Sequence, residues 1–102
     1  ALPSLDRVDF VAPDQIIRCQ SDNTYTHVFL EDGSKLLISK TLREFTTLLT
    51  EYGFLRTHQS HLVNRKYVRS LLNRDGDVLL LSDGSEVPVS LRQKGEVLAG
   101  LK

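Results

Sequence analysis

Tyr25-Thr26-His27-Val28-Phe29-Leu30-Glu31-Asp32-Gly33-Ser34-Lys35-Leu36-Leu37-Ile38 is the stretch that decides the fold class. Its first residues alternate, with Tyr25, His27 and Phe29 on one face and Thr26, Val28 and Leu30 on the other, which is the period of a strand. Asp32-Gly33 then breaks the run, and Asp-Gly readily supplies the positive φ of primed hairpin turns. A strand near Tyr25–Glu31 therefore folds back onto one near Ser34–Ile38. The device recurs downstream. Asp75-Gly76 joins Tyr67–Asn73 to Asp77–Leu81, and Asp83-Gly84 leads on to Ser85–Val89. Upstream, Val8–Val11 and Ile16–Gln20 read as two further strands, with Pro3 and Pro13 marking edge or turn positions beside them.

One segment departs from this pattern. Leu42, Phe45, Leu48, Leu49 and Tyr52 recur at helical spacing. Thr41 with Glu44 three residues on is a capping-box pair, and Gly53 stands where a C-terminal cap belongs. The spacing predicts one short α-helix over about 41–52. A weaker helix is readable at Ser90–Leu101 through Leu91, Lys94, Val97, Leu98 and Leu101, although Gly95 and Gly100 count against it. With 102 residues, no repeat and no low-complexity tract, the chain reads as one domain. The expected fold class is mainly β, built of several short antiparallel hairpins and one short helix.

Composition narrows the function. Apolar residues are 40% and charged residues 25% of the chain, which is globular rather than disordered. Apolar runs such as Val78–Leu81 are far too short to cross a bilayer, and no basic-plus-apolar N-terminal stretch suggests secretion. The single Cys19 allows no internal disulfide and no zinc site by itself, so a reducing, cytoplasmic setting fits and neither a metal nor a cofactor is expected. Net charge is zero, but its distribution is uneven: residues 1–53 carry five basic and eight acidic side chains, and residues 54–102 eight and five. Residues 56–74 contain Arg56, Arg65, Lys66, Arg69 and Arg74 and no acid at all, with His58 and His61 among them. A polyanion responds to such a local field and not to the sum over the chain; a solvated basic strand face is the plain alternative.

The densest polar stretch is Phe54-Leu55-Arg56-Thr57-His58-Gln59-Ser60-His61-Leu62-Val63-Asn64-Arg65. Hydrolytic catalysis is a poor reading of it. Ser60 lies between two histidines, but without a Gly-x-Ser-x-Gly turn or a nearby acid, and neighbours on a strand point to opposite faces. Metal binding is no better, because His58 and His61 are three apart, which suits a helix face, and no Cys or carboxylate completes the set. Recognition of a DNA groove explains the residue types. Arg56, Arg65 and Lys66 match phosphates. Gln59 carries the paired donor and acceptor that fit an adenine edge; Asn64 does too, although a buried turn-forming role suits it better. Ser90, Arg92, Gln93 and Lys94 form a second polar cluster, with Arg92 suited to guanine, and Asn23-Thr24-Tyr25-Thr26 a third.

These residues carry a resemblance. Phe54, Arg56, His58, Ser60, Val63 and Asn64 resemble the signature of LytTR domains, an aromatic, an Arg, a His and a Ser at alternate positions leading into Val-Asn. The flanks agree: Asn23-Thr24-Tyr25-Thr26-His27-Val28 is similar to the family's segment before its hairpin, Leu42-Arg43-Glu44-Phe45 to its short helix and Val87-Pro88-Val89-Ser90 to its closing motif. The likeness runs from about Leu2 to Leu98, with Leu91 standing where many members have a basic residue.

The resemblance implies an elongated arrangement of small antiparallel sheets that binds double-stranded DNA through loops, as the output domain of a bacterial two-component response regulator controlling transcription. It implies base contacts by Tyr25, Gln59 and Arg92, and phosphate contacts by Lys40, Arg65, Ser90 and Lys94. Arg56, His58, Ser60 and Asn64 fall to the signature, positioning the loop. It further implies a receiver domain absent from this sequence, dimeric binding to tandem repeats, and residues 1–6 serving as linker or first edge strand. No enzyme activity and no membrane partner are expected. The alternative is a β interaction or sensing module that binds an acidic protein through its basic face.

Overall fold

A computed structural model describes residues 1–4 and 6–102, and it is built around a five-stranded antiparallel sheet. Two short strands, β1 (Leu2–Pro3) and β2 (Val8–Asp9), pair at the N-terminus. The main sheet comprises β3 (Ile16–Asp22), β4 (Tyr25–Leu30), β5 (Lys35–Ile38), β6 (Phe54–His58) and β7 (His61–Asn64), in the order β5-β4-β3-β7-β6. Between β5 and β6 lies α1 (Leu42–Leu49). A three-stranded sheet follows, in which β9 (Gly76–Leu81) runs between β8 (Val68–Arg74) and β10 (Glu86–Val89), and α2 (Lys94–Leu101) ends the chain. The body is elongated, 41 × 24 × 24 Å. Among the described residues no helix is long and apolar enough to cross a membrane.

The hairpins form where the turn residues ask for them. Gly33, Gly76 and Gly84, each after an Asp, stand at φ of 90°, 79° and 89°. In two of these turns the Asp also helps: Asp32 and Asp83 each accept from the backbone N–H and hydroxyl of the serine two residues on. The strand expected over Val8–Val11 ends at Asp9, and residue 5 of the expected N-terminal linker or edge strand lies outside the described residues. The signature stretch, not divided in advance, is itself a hairpin.

Helix α1 starts as its caps dictate. Thr41 Oγ1 accepts from the Glu44 N–H at 3.2 Å, and Glu44 Oε2 accepts from the Thr41 N–H at 3.0 Å. The last turn, Thr50–Tyr52, tightens to a 3-10 helix and closes at Gly53, φ 86°. Its buried stripe is Leu42, Phe45 and Leu49, whereas Leu48 and Tyr52, which share the apolar spacing, face outward. Burying such side chains stabilises by roughly 1.5–3 kcal/mol each. They pack with Ile16, Cys19, Val28, Leu36, Ile38, Phe54 and Leu62 into one core on one face of the main sheet. Burial pushes the Cys19 thiol up to about 12, against the opposing charge of Arg18, which leaves it an inert packing group.

A second core holds the small sheet and α2 against the other side, through Ile17, Val63, Leu79, Leu81, Val87, Val89 and Val97. The weaker helix readable at Ser90–Leu101 thus forms over Lys94–Leu101, beside the main helix α1. Gly100, which argued against a helix here, packs closely: a Cβ there would come within 2.5 Å of Leu55 Cδ2 and push that side chain aside.

Candidate nucleic-acid interface

Strand register decides which loops meet. In the main sheet Gln20 pairs with His27 on one side and His61 on the other, and Asp22 pairs with Tyr25. The two-residue turns Asn23-Thr24 and Gln59-Ser60 therefore emerge at the same end of the sheet. Ser21 ties them together by donating its N–H to the Ser60 carbonyl at 3.0 Å. The exit from β5 joins the row, since Thr26 pairs with Ile38 and its hydroxyl donates to the Lys40 carbonyl at 2.7 Å. At the other side of the row Ser90 donates its N–H to the Thr57 carbonyl at 2.9 Å, and Gln93 closes a turn onto Ser90 at 3.1 Å. Lys40, Tyr25, Gln59 and Arg92 thus come to one edge, brought there by four different connections.

The Gln59-Ser60 turn is held from within. Arg56 donates through Nε to the His58 carbonyl at 2.9 Å, through Nη2 to the Gln59 carbonyl at 2.6 Å and through Nη1 to Thr46 Oγ1 at 3.0 Å. One planar guanidinium therefore fastens the turn to α1, a task that suits its fixed fork of donors. Burial lowers the Arg56 pKa, but an arginine so shifted stays charged. His58 Nδ1 accepts from the Ser60 N–H at 3.0 Å, so the neutral ring carries its proton on Nε2. Asn64, fully buried, donates to the Ile16 carbonyl at 2.9 Å and accepts from the Lys66 N–H at 3.0 Å, anchoring the far end of the hairpin.

Between the two anchored turns lies a groove of about 450 Å³ lined by Arg56, His58, Gln59, Ser90, Arg92 and Gln93. Gln59 and Arg92 are exposed on its rims, while Ser90 and Gln93 form its wall. Tyr25 is 45% exposed further along the row. Lys40 sits by the start of α1 in a shallow hollow shared with Arg43, Glu44, Thr47 and Leu48.

Two cations stand differently from the rest. Lys94 Nζ is 2.7 Å from Asp77 Oδ2, an existing ion pair. Arg65 follows Asn64 at the open end of the hairpin, opposite the Gln59 tip. There its N–H donates to the Gly53 carbonyl at 3.0 Å and its guanidinium to the Lys102 carbonyl at 3.1 Å. Strand β7 separates Arg65 from the tip, so this expected phosphate contact does not share the row with Gln59 and Arg92. Nor is the row free of acid: Asp22, 3.1 Å from His27 Nε2, stands beside the first turn.

His58 and His61, set apart when read as strand neighbours, are brought together across the turn with ring centroids 5.5 Å apart. Burial first, then the charges of His58 and Arg18, push His61 down to about 4. Among the described residues no group of three His, Cys, Asp or Glu side chains is placed to hold a metal ion. Sequence reasoning passed over Thr57, whose carbonyl anchors the Ser90 turn, because a backbone role leaves no mark on residue type. It weighed Leu91 as a helix position and as a departure from the family's basic residue, but not as a contact; that residue is 92% exposed between Ser90 and Arg92, and an apolar side chain inside a polar cluster was the available signal.

The likeness to known proteins now has its structural ground. The family model described as the LytTr DNA-binding domain matches residues 6–102. A solved structure, the LytTr DNA-binding domain of a putative methyl-accepting/DNA response regulator from Bacillus cereus, superposes with a TM-score of 0.84 at 24% identity, covering 98% of this chain and 93% of that one. At that identity the superposition speaks for the fold. No curated protein matches the chain. The family match over nearly all its residues, on this mainly β architecture, decides the matter: the chain belongs to the LytTR family of DNA-binding domains.

Proposed function

We propose that this domain reads a specific double-stranded DNA sequence through the row of turns at one end of its main sheet, as the cytoplasmic output module of a two-component response regulator. The observation that carries the reading is the groove between the Gln59 and Arg92 turns, whose tips are exposed while their backbones are fastened. Side chains so held meet a base edge at little further cost in conformational entropy. Gln59 takes adenine, Arg92 takes guanine and Tyr25 reaches a base at the neighbouring turn. Lys40 and Ser90 take phosphates, and Lys94 joins them by exchanging Asp77 for the DNA backbone. Arg65 stands outside the row, so any phosphate it takes belongs to a separate stretch of backbone. Arg56, His58, Ser60 and Asn64 hold the hairpin in place.

From β5 to β6 the row crosses four strand spacings, about 19 Å. That is about half of a helical turn of DNA, roughly 34 Å. A second copy on a repeat one turn away would lie on the same side of the duplex, a geometry that supports dimeric binding to tandem repeats. Phosphorylation of a linked receiver domain would raise the effective concentration of that second copy. The name of the Bacillus cereus protein supports the response-regulator setting.

Selection from a random duplex pool, followed by sequencing, tests the reading. An enriched motif repeated about one turn apart is expected. Binding that enriches no motif, or that is indifferent to salt, would instead mark the row as a surface for an acidic protein.

A further inference from the structure

We propose that Leu91 reads a thymine methyl group at the base pair next to the one contacted by Arg92, so that this turn specifies a two-base step and not a single base. The inference rests on the DNA-reading role of the row. Leu91 and Arg92 are the two central residues of the Ser90–Gln93 turn, which is closed by the Gln93 N–H on the Ser90 carbonyl at 3.1 Å. The base of the turn is fixed by Ser90 on Thr57, and by the Gln93 N–H on Ser90 Oγ at 3.3 Å. The two tip side chains are therefore presented together on a pinned backbone.

Among the described residues Leu91 has no packing role. It is 92% exposed, belongs to neither core and precedes α2, whose one buried residue is Val97. A lone exposed leucine needs no explanation elsewhere on a surface. Here it projects beside an arginine whose partner is a base edge. In the major groove the apolar feature of any base is the thymine C5-methyl, and aliphatic side chains recognise it by contact. Spacing fits as well: adjacent Cα atoms lie about 3.8 Å apart, against a rise of about 3.4 Å between successive bases on a strand.

The test uses the selected site. Each thymine is replaced in turn by deoxyuridine, which removes the methyl and leaves every hydrogen-bonding group. One position, adjacent to the base whose preference is lost in Arg92→Ala, is expected to weaken the wild type about fourfold, as for burying one methylene-sized group. Leu91→Ala should weaken the thymine site similarly and then show no further loss on deoxyuridine. Its unfolding transition should match the wild type, since no packed contact is removed. Independent, multiplying losses from Leu91→Ala and deoxyuridine would overturn the methyl contact, as would the absence of any sensitive thymine next to the Arg92 position. A DNA bend that disappears in Leu91→Ala, with no response to deoxyuridine, would also overturn it and make Leu91 a wedge between bases. If no site is selected at all, it is the DNA-reading role that fails.

Discussion

Arg56 shows how a cation in a DNA-binding face serves the protein first. Its three nitrogen donors go to the His58 carbonyl, the Gln59 carbonyl and Thr46. Lysine keeps the charge but has no planar fork, so Arg56→Lys should loosen the Gln59 turn. The expected result is a loss of about 1–3 kcal/mol on the selected site, read by titration, with a far smaller loss on random duplex. His61 gives a prediction of another kind. It is neutral in the fold down to about 4, while in the unfolded chain it takes up a proton near its ordinary 6.5. The unfolded state therefore binds more protons between those values, and stability present above pH 6.5 is lost as pH falls toward 4. The ring is partly exposed, so screening by solvent trims the effect to about 1 kcal/mol. Denaturant titrations of wild type and His61→Asn at pH 7 and 4.5 check it: the advantage of the wild type should shrink at the lower pH.

Elements were legible where local chemistry dictates them. Asp-Gly pairs placed three turns, and Thr41 with Glu44 marked the start of α1. Thr41→Ala removes the acceptor for the Glu44 N–H and should lower the unfolding free energy by about 0.5–2 kcal/mol, read by chemical denaturation. What periodicity did not reveal lies in tertiary contact. Leu48 and Tyr52 share the apolar spacing of α1 but miss the core, because the sheet covers only the Leu42–Phe45–Leu49 stripe. Helix α2 forms despite two glycines because Val97 is buried and Gly100 lets the helix approach Leu55. The Gln59-Ser60 turn escaped notice for a related reason. It has neither Gly nor positive φ, and the fork of Arg56 does the holding that turn residues do elsewhere. That Arg65 stands a strand's length from Gln59 is a distance that residue types alone do not disclose.

Across the whole molecule, a neutral total conceals a division of roles between charge and shape. Lys40, Arg43 and Arg92 border the row, while Asp22 and Asp77 offset part of that field from beside His27 and Lys94. Few phosphate contacts, and so a modest salt slope, are expected. Lys40→Ala should weaken selected and scrambled DNA alike and lower the slope by roughly one unit. Gln59→Ala and Arg92→Ala should each cost about 1–3 kcal/mol on the selected site and relax one base position, leaving the scrambled duplex nearly unaffected. Paired titrations across a salt series separate the two classes, and an unchanged ratio in both Gln59→Ala and Arg92→Ala would reject the base assignments. The anchoring of the turns has an evolutionary consequence. Their backbones are fastened by Arg56, Ser21 and Thr57, none of which need change when Thr24, Gln59, Leu91 or Arg92 does, whereas Asn23, at φ 56°, is held to its type by the turn. Mutational drift at those tips can re-address the domain to a new promoter while the scaffold stays intact, so a library randomised there should yield mostly folded members with diverging targets.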